Sequence, residues 1–250
     1  MLDQREDEFL LGIEMRREKG GVVPVQEKYA REVVTRFGMM NSKPASTPPE
    51  PRSKLSMKQS TVTPSEKEEM SNVPFRQVVG SLMYLARGTR PNLAESVSRV
   101  SRFCQNPGRA HWEGVKRILR HVVGTSNVGL LYLKGSQVEV WGYSDAGHGG
   151  STEEGRGRQG HVFISGGDAI SWRSSLLGTI TDSSCEREYM GLSAAANEAI
   201  YLRQLQKELK IVTSDKATLI VGDNESCQKL AENPVFHRRS KHILAKYHSI

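Results

Sequence analysis

Residues 160–173 read Gly-His-Val-Phe-Ile-Ser-Gly-Gly-Asp-Ala-Ile-Ser-Trp-Arg, two apolar runs joined through Gly166, Gly167 and Asp168. Paired glycines supply the positive φ of a tight reversal, so Gly160–Ser165 and Ala169–Arg173 are expected to pair as an antiparallel hairpin. Working outward, Val138, Val140 and the run to Asp145 predict a strand before the hairpin. After it, Tyr189, Leu192, Ala196, Ala199, Leu202, Leu205 and Leu209 recur at three- and four-residue steps and predict a long helix over 184–209. The apolar run Ala217–Val221 then predicts a strand buried on both faces, and a further helix is expected over 225–232.

This order of elements implies a topology. In an antiparallel meander the third strand runs parallel to the first, so the helix departs from the edge where the first strand ends. A right-handed crossover brings the fourth strand back beside the first and parallel to it. Three acidic strings then meet at one sheet edge: Tyr143-Ser144-Asp145, Ser183-Ser184-Cys185-Glu186-Arg187-Glu188-Tyr189, and Gly222-Asp223-Asn224. The carboxyl ends of parallel strands are where ligand sites form in such sheets.

Clustered carboxylates repel one another and lose hydration, so they persist where a cation offsets their charge. Hard oxygen donors select Mg2+, with Mn2+ as the alternative. Asp145, Glu188 and Asp223 are therefore the expected catalytic and metal-binding residues. Asp145 would bridge two ions and each of the others complete one shell, an arrangement suited to hydrolysis of a phosphodiester. Glu186 and Glu188 lie about 200° apart around a helix and cannot both serve the site. Ser183 followed by Glu186 matches a capping box, which assigns Glu186 to helix initiation and Glu188 to the site. Taken singly, Asp145 also fits a turn and Asp223 also fits a helix cap.

The rest of the chain is read around this domain. Its 250 residues suit one to two units. Thirty-five Lys and Arg against 28 Asp and Glu give +7, a balance that suits approach to a polyphosphate. Cys104, Cys185 and Cys227 are scattered, which indicates neither a disulfide framework nor a zinc site and fits a reducing, intracellular setting. No apolar run nears the roughly 20 residues a bilayer requires, so no membrane partner is expected. Pro44, Pro48, Pro49, Pro51 and Pro64 among Ser, Thr, Lys and Glu predict a linker over 43–72. Before it, a strand over Phe9–Met15 and a helix over Val25–Phe37 leave 1–42 too small to hold a core alone. After it, helical patterns at 74–88, 91–104 and 109–124 predict a helical connection segment over 73–135, with the last domain over 136–250.

Weaker candidates lie elsewhere. His237, Arg238, Arg239, Lys241 and His242 form a basic cluster, from which Arg238, Arg239 and Lys241 are the candidates for phosphate contact. His148 and His237 are candidates for assisting proton transfer. Trp112, Trp141 and Trp172 read as packing residues, and the Gly-rich stretch 147–160 lacks the Lys-Ser or Lys-Thr of a phosphate loop.

Several longer strings point to a family. Gly-Ser-Leu-Met-Tyr-Leu-Ala at 80–86, Thr-Arg-Pro-Asn at 89–92, Ser-Arg-Phe at 101–103, Asn-Pro at 106–107 and His111-Trp112 belong to this set. So do Lys-Arg-Ile-Leu-Arg at 116–120, Gly-Tyr-Ser-Asp-Ala at 142–146, Ala-Ile-Ser-Trp at 169–172, Asn-Pro-Val-Phe-His at 233–237 and Ser-Lys-His-Ile at 240–243. Together they resemble the C-terminal part of the copia-type retrotransposon Pol polyprotein over nearly the whole chain. The resemblance implies that 1–42 ends the reverse transcriptase region. It also implies that residues from about 136 form an RNase H-like α/β domain, built on a mixed sheet of the five-stranded type and preceded by the helical connection. Such a domain degrades the RNA strand of RNA/DNA hybrids with Mg2+. The implied partners are the hybrid and the upstream reverse transcriptase domain, in a cytoplasmic particle or the nucleus.

The departures from the family pattern are specific. Tyr-x-Asp-Asp is absent, so no DNA synthesis is expected from this chain alone. Gly147-His148 stands where the family has Asp-Trp, Cys185 where it has Thr, and Leu244 where it has Asp. The family's last strand, last helix and fourth metal-binding Asp would fall beyond Ile250, which leads to the expectation of a truncated domain. The alternative expectation is a catalytically silent remnant or basic nucleic-acid-binding module whose affinity for hybrids falls steeply with salt.

Overall fold

Two four-stranded sheets organise the described residues of the chain, which divides into two units between Lys134 and Gly135. The computed structural model describes residues 9–18, 20–49, 55–147, 155–181, 183–212 and 216–232. Together these make a mixed α/β structure. Among them, no helix is long and apolar enough to cross a membrane.

In the first unit, β1 (Phe9–Leu10), β2 (Ile13–Glu18) and β3 (Gly21–Val25) form an antiparallel meander. The helices are α1 (Glu27–Arg36), α2 (Pro64–Ser71), α3 (Phe75–Gly88), α4 (Ala94–Ser101) and α5 (Arg109–Gly124). After them, β4 (Tyr132–Leu133) pairs antiparallel with β3. The single strand expected over Phe9–Met15 is thus a multi-stranded start, its second reversal passing through Gly20 at φ 93°. Ala30, Val33 and Val34 of α1 share one core with Val78 and Leu82 of α3, Val97 of α4 and Ile118 of α5. Burying these apolar faces together stabilises the helices far beyond their intrinsic propensity. The described residues of 1–42 and of 73–134 therefore fold as parts of one unit.

The Pro-rich stretch differs from the expected linker. Arg120 Nε donates to Lys43 O at 2.7 Å, and Ala45 N–H donates to Arg120 O at 3.2 Å. His121 Nδ1–H donates to Ala45 O at 3.0 Å, and His111 Nε2–H donates to Ser56 O at 2.9 Å. Pro64–Ser71 is itself helical, with Thr63 and Glu66 forming a capping box. The described parts of the stretch, 43–49 and 55–72, form a strap gripped by side chains of α5. Its order comes from hydrogen bonds to its backbone, which composition does not reveal.

In the second unit, β5 (Trp141–Gly147), β6 (Arg158–Ser165) and β7 (Asp168–Leu176) form the antiparallel meander. Ser165 pairs with Asp168 across a two-residue turn in which Gly166 and Gly167 take φ 67° and 102°, the left-handed conformations that a tight hairpin needs. The long helix α6 (Ser184–Glu208) crosses over, and β8 (Leu219–Val221) then pairs parallel with β5. Last among the described elements is α7 (Glu225–Glu232). The sheet order is β7-β6-β5-β8, the order expected from the sequence. Ala195, Ala199 and Leu202 of α6 pack on Val140, Phe163, Ile170 and Ile220.

One expectation fails here. Leu219 is 63% exposed and Val221 39% exposed, so β8 is not buried on both faces. Side chains alternate across a strand, and Ile220 alone of the three turns to the α6 side.

Candidate metal centre

The site grows from a mismatch of strand lengths. Pairing of β5 with β8 stops at Tyr143 opposite Val221, whereas β5 continues to Gly147. The amides of β5 past that point have no ladder partner on this edge and need another acceptor. Glu188 supplies it, its Oε2 accepting from Ala146 N–H at 3.0 Å. Gly191, one turn further along α6, makes the approach possible, because a Cβ there would sit 3.0 Å from that of Ala146.

Helix initiation places Glu188. Ser183 is the N-cap, and its Oγ accepts from Glu186 N–H at 3.1 Å. Glu186 is buried in the first turn, and Glu188 turns instead toward the end of β5. The third acid, Asp223, follows Gly222 at the end of β8. Asn224, not Asp223, caps α7: its Oδ1 accepts from Cys227 N–H at 2.9 Å. The cap reading of Asp223 is thereby removed, and its carboxylate is left for the site.

One carboxylate oxygen from each of Asp145, Glu188 and Asp223 lies within 4.8 Å of the others. Asp145 and Asp223 are exposed and Glu188 half-buried. Burial, then the charge of Asp145, pushes the Glu188 carboxyl up to about 7; the Asp223 charge adds to this, and the Ala146 amide and Arg187 oppose it. Beneath the acids, Tyr189 and buried Cys227 pack with Cys185, Leu192 and Leu230. Burial raises the thiol of Cys227 to about 12, so it is a packing group and not a nucleophile. A cleft of about 380 Å³ adjoins Glu188, bounded by Ser144, Leu192, Cys227 and Gln228 among others.

The three acids chosen from sequence come together. Arg238, Arg239 and Lys241, with His148, His237 and His242, lie outside the described residues. Trp112 packs against the first unit's core, and Trp141 meets Tyr143 edge-on at 5.3 Å. Sequence reasoning passed over Ser144 and the Ala146 amide. Alternation along β5, with Gly142, Ser144 and Ala146 buried, was the available signal for both.

An α/β unit with three convergent carboxylates at the ends of paired parallel strands is what this chain presents, and its relatives give it a family. It is similar to the retrovirus-related Pol polyprotein from transposon TNT 1-94 of Nicotiana tabacum, 40% identical over 225 residues, or 90% of the chain and 17% of that protein. It is similar also to the Pol polyprotein from transposon RE1 of Arabidopsis thaliana, 35% identical over 99% of the chain and 16% of the relative. A third relative, the uncharacterized mitochondrial protein AtMg00810 of Arabidopsis thaliana, is 34% identical over 76% of both chains. The chain belongs to the retrovirus-related Pol polyproteins of copia-type transposons. It spans about one sixth of the length of the transposon polyproteins it matches (16–17%). No family model matches the chain, and no solved structure matches it.

Proposed function

We propose that the second unit is an RNase H-like nuclease domain that hydrolyses the RNA strand of RNA/DNA hybrids with Mg2+. The first unit would then join the end of the reverse transcriptase region to it. The observation that supports the reading most is the meeting of Asp145, Glu188 and Asp223 within 4.8 Å where β5 and β8 end. Three carboxylates at that spacing fit a hard divalent cation, since they supply oxygen donors alone and their crowded charge adds to the burial that raises Glu188 to about 7. Asp145 from β5, Glu188 from α6 and Asp223 from the end of β8 would hold it. When bound, Mg2+ supplies neutralisation of the scissile phosphate and acidification of the attacking water.

The chain's own groups prepare that chemistry. Ala146 N–H occupies Glu188 Oε2 and sets the carboxylate's orientation before any ligand arrives. Asp145 and Asp223, exposed at the rim, keep the edge open to a phosphate backbone. The net charge of +7 favours the approach of a polyanion.

The test is cleavage of a labelled RNA/DNA hybrid by the purified chain in Mg2+ and then Mn2+, beside Asp145→Asn. Cleavage by the wild type that the variant loses supports the reading. A folded wild type that cuts nothing, yet binds hybrid with a steep salt dependence, replaces it with a nucleic-acid-binding module.

A further inference from the structure

The string Lys116-Arg117-Ile118-Leu119-Arg120 lies within α5, and the core accounts for only part of it. Ile118 and Leu119 are buried, at 1% and 0% exposure. Lys116, Arg117 and Arg120 stand on the other side of the helix, about one turn apart and half-buried. Each arginine uses part of its fork on the strap: Arg120 Nε donates to Lys43 O at 2.7 Å, and Arg117 Nη2 donates to Thr47 Oγ1 at 3.2 Å. Lys116 Nζ lies 2.6 Å from the Glu113 carboxylate. Among the described residues, no carboxylate comes within ion-pair distance of Lys43, Arg117 or Arg120. Both guanidinium groups are therefore held in place by neutral oxygens, and their charge is not offset.

The charge of the chain is unevenly divided. Residues 1–134 hold twenty-two Lys and Arg against fourteen Asp and Glu, a balance of +8, and residues 135–250 hold thirteen against fourteen, a balance of −1. The excess that suits a polyphosphate thus belongs to the first unit and not to the unit with the three acids. A duplex offers one negative charge about every 1.7 Å of its axis, so its backbone meets several cations of one helix face together. Guanidinium forks also match phosphate oxygens in pairs. A folded acidic protein presents no such continuous row.

We propose that the outward face of α5, with Lys43 of the strap beside it, is a docking surface for the phosphate backbone of the RNA/DNA hybrid. Arg117 and Arg120 hold phosphates through the donors that the strap leaves free, and Lys43 and Lys116 add charge. Affinity for the hybrid then resides largely in the first unit and the chemistry in the second. The choice of the hybrid among polyanions rests on the nuclease reading given above.

The test measures binding of a fluorescent RNA/DNA hybrid to the full chain by anisotropy in EDTA, over a series of KCl concentrations, with Tm recorded for every variant. In the double variant Arg117→Gln, Arg120→Gln, the Kd should rise about tenfold and the slope of log Kd against log salt should fall by about two, one for each lost phosphate contact. Arg117→Lys with Arg120→Lys keeps the charge while giving up the fork's bonds to the strap, and should keep the wild-type salt slope. Lys43→Gln with Lys116→Gln, whose ammonium groups hold no part of the strap, should weaken binding in the same direction, and it decides the matter if the arginine-to-glutamine pair does not fold. Arg203→Gln with Lys207→Gln removes as much charge from α6 and should leave Kd and slope unchanged. Wild-type binding in both first-unit Gln pairs overturns the inference, as does an equal loss in the α6 pair. A Lys pair that loses as much affinity as the Gln pair, with a matching fall in Tm, marks strap packing and overturns it too. So does a chain that prefers polyglutamate to hybrid, which would assign the surface to an acidic protein. Binding is read without turnover, so the two readings fail separately. A chain that docks hybrid through α5 but never cleaves it loses the nuclease reading alone, and a chain that cleaves with unchanged KM in the Gln pairs loses this inference alone.

Discussion

The two units bury polar groups in opposite ways. In the first, His111 accepts from Gly108 N–H at 2.9 Å and donates to Ser56 O. His121 accepts from Asn92 Nδ2 at 3.0 Å and donates to Ala45 O. Arg90, 1% exposed, places its donors on Asn92 Oδ1 and on Thr125 O and Oγ1 at 2.7–3.1 Å. In the second unit, three carboxylates crowd together and Ser144 Oγ beside them is unpartnered. Gln26 Nε2, Ser60 Oγ and Arg117 Nε in the first unit are also unpartnered, but among the described residues no cluster of metal-ligating side chains accompanies them. Polar burial that closes on itself acts as architecture, whereas the crowded carboxylates of the second unit are what the proposed metal site rests on.

Mutation should separate the two kinds. The largest effect is expected for Asp145→Asn, which should slow hybrid cleavage about 10³-fold, close to 4 kcal/mol of barrier, without destabilising the fold. Residual cleavage within tenfold of the wild type would place the chemistry elsewhere. Next is Arg90→Leu, which leaves Thr125 O and Asn92 Oδ1 without donors inside the first unit. A loss of about 3 kcal/mol in denaturant unfolding is expected, with hybrid cleavage by the folded protein unchanged. His121→Ala should cost about 2 kcal/mol and release the strap, exposing the bonds around Ala45 to proteinase K faster than in the wild type. A strap that stays protected would show that Arg120 and His111 hold it unaided.

These contrasts also set what the sequence made legible. The hairpin through Gly166 and Gly167 was readable because paired glycines and a change of periodicity are local signals. The choice of Glu188 over Glu186 was readable because helix geometry and the Ser183 cap are local too. The meeting of the acids followed from handedness and strand order. Exposure of Leu219 and Val221 was not readable, since it depends on what covers each face of β8. The strap was missed for a related reason: His111 and His121 grip backbone carbonyls more than 50 positions away in sequence, and a carbonyl has no residue-type signature. Ser144 showed only as an inward position on β5; its want of a partner exists only in three dimensions.

The smallest effect sharpens the contrast through pH. Burial holds His111 and His121 below the usual histidine range, so the folded first unit keeps them neutral. Unfolded histidines titrate near 6.5, so the unfolded chain gains protons first as pH falls. Their contribution to stability is whole above about 6.5 and declines below it. Glu188 has the reverse sign, its folded pKa of about 7 lying above the ordinary 4.5. Between those values the folded state holds the extra proton, so the acid site is a liability at pH 7 that eases as pH falls toward 4.5. Glu188→Gln, whose side-chain oxygen can still accept from Ala146 N–H, should therefore gain about 1 kcal/mol at pH 7 without divalent cations, a figure reduced for the solvent around a half-buried group. The gain should shrink by pH 5. His161 in β6 is also lowered by burial, and it cancels in the comparison because both proteins contain it. Added Mn2+ should reverse the order, stabilising the wild type over the variant, because only the wild type offers the third carboxylate. A variant no more stable than the wild type at pH 7 would mean that the three carboxylates are relaxed by solvent and that their closeness stores no ligand-directed charge.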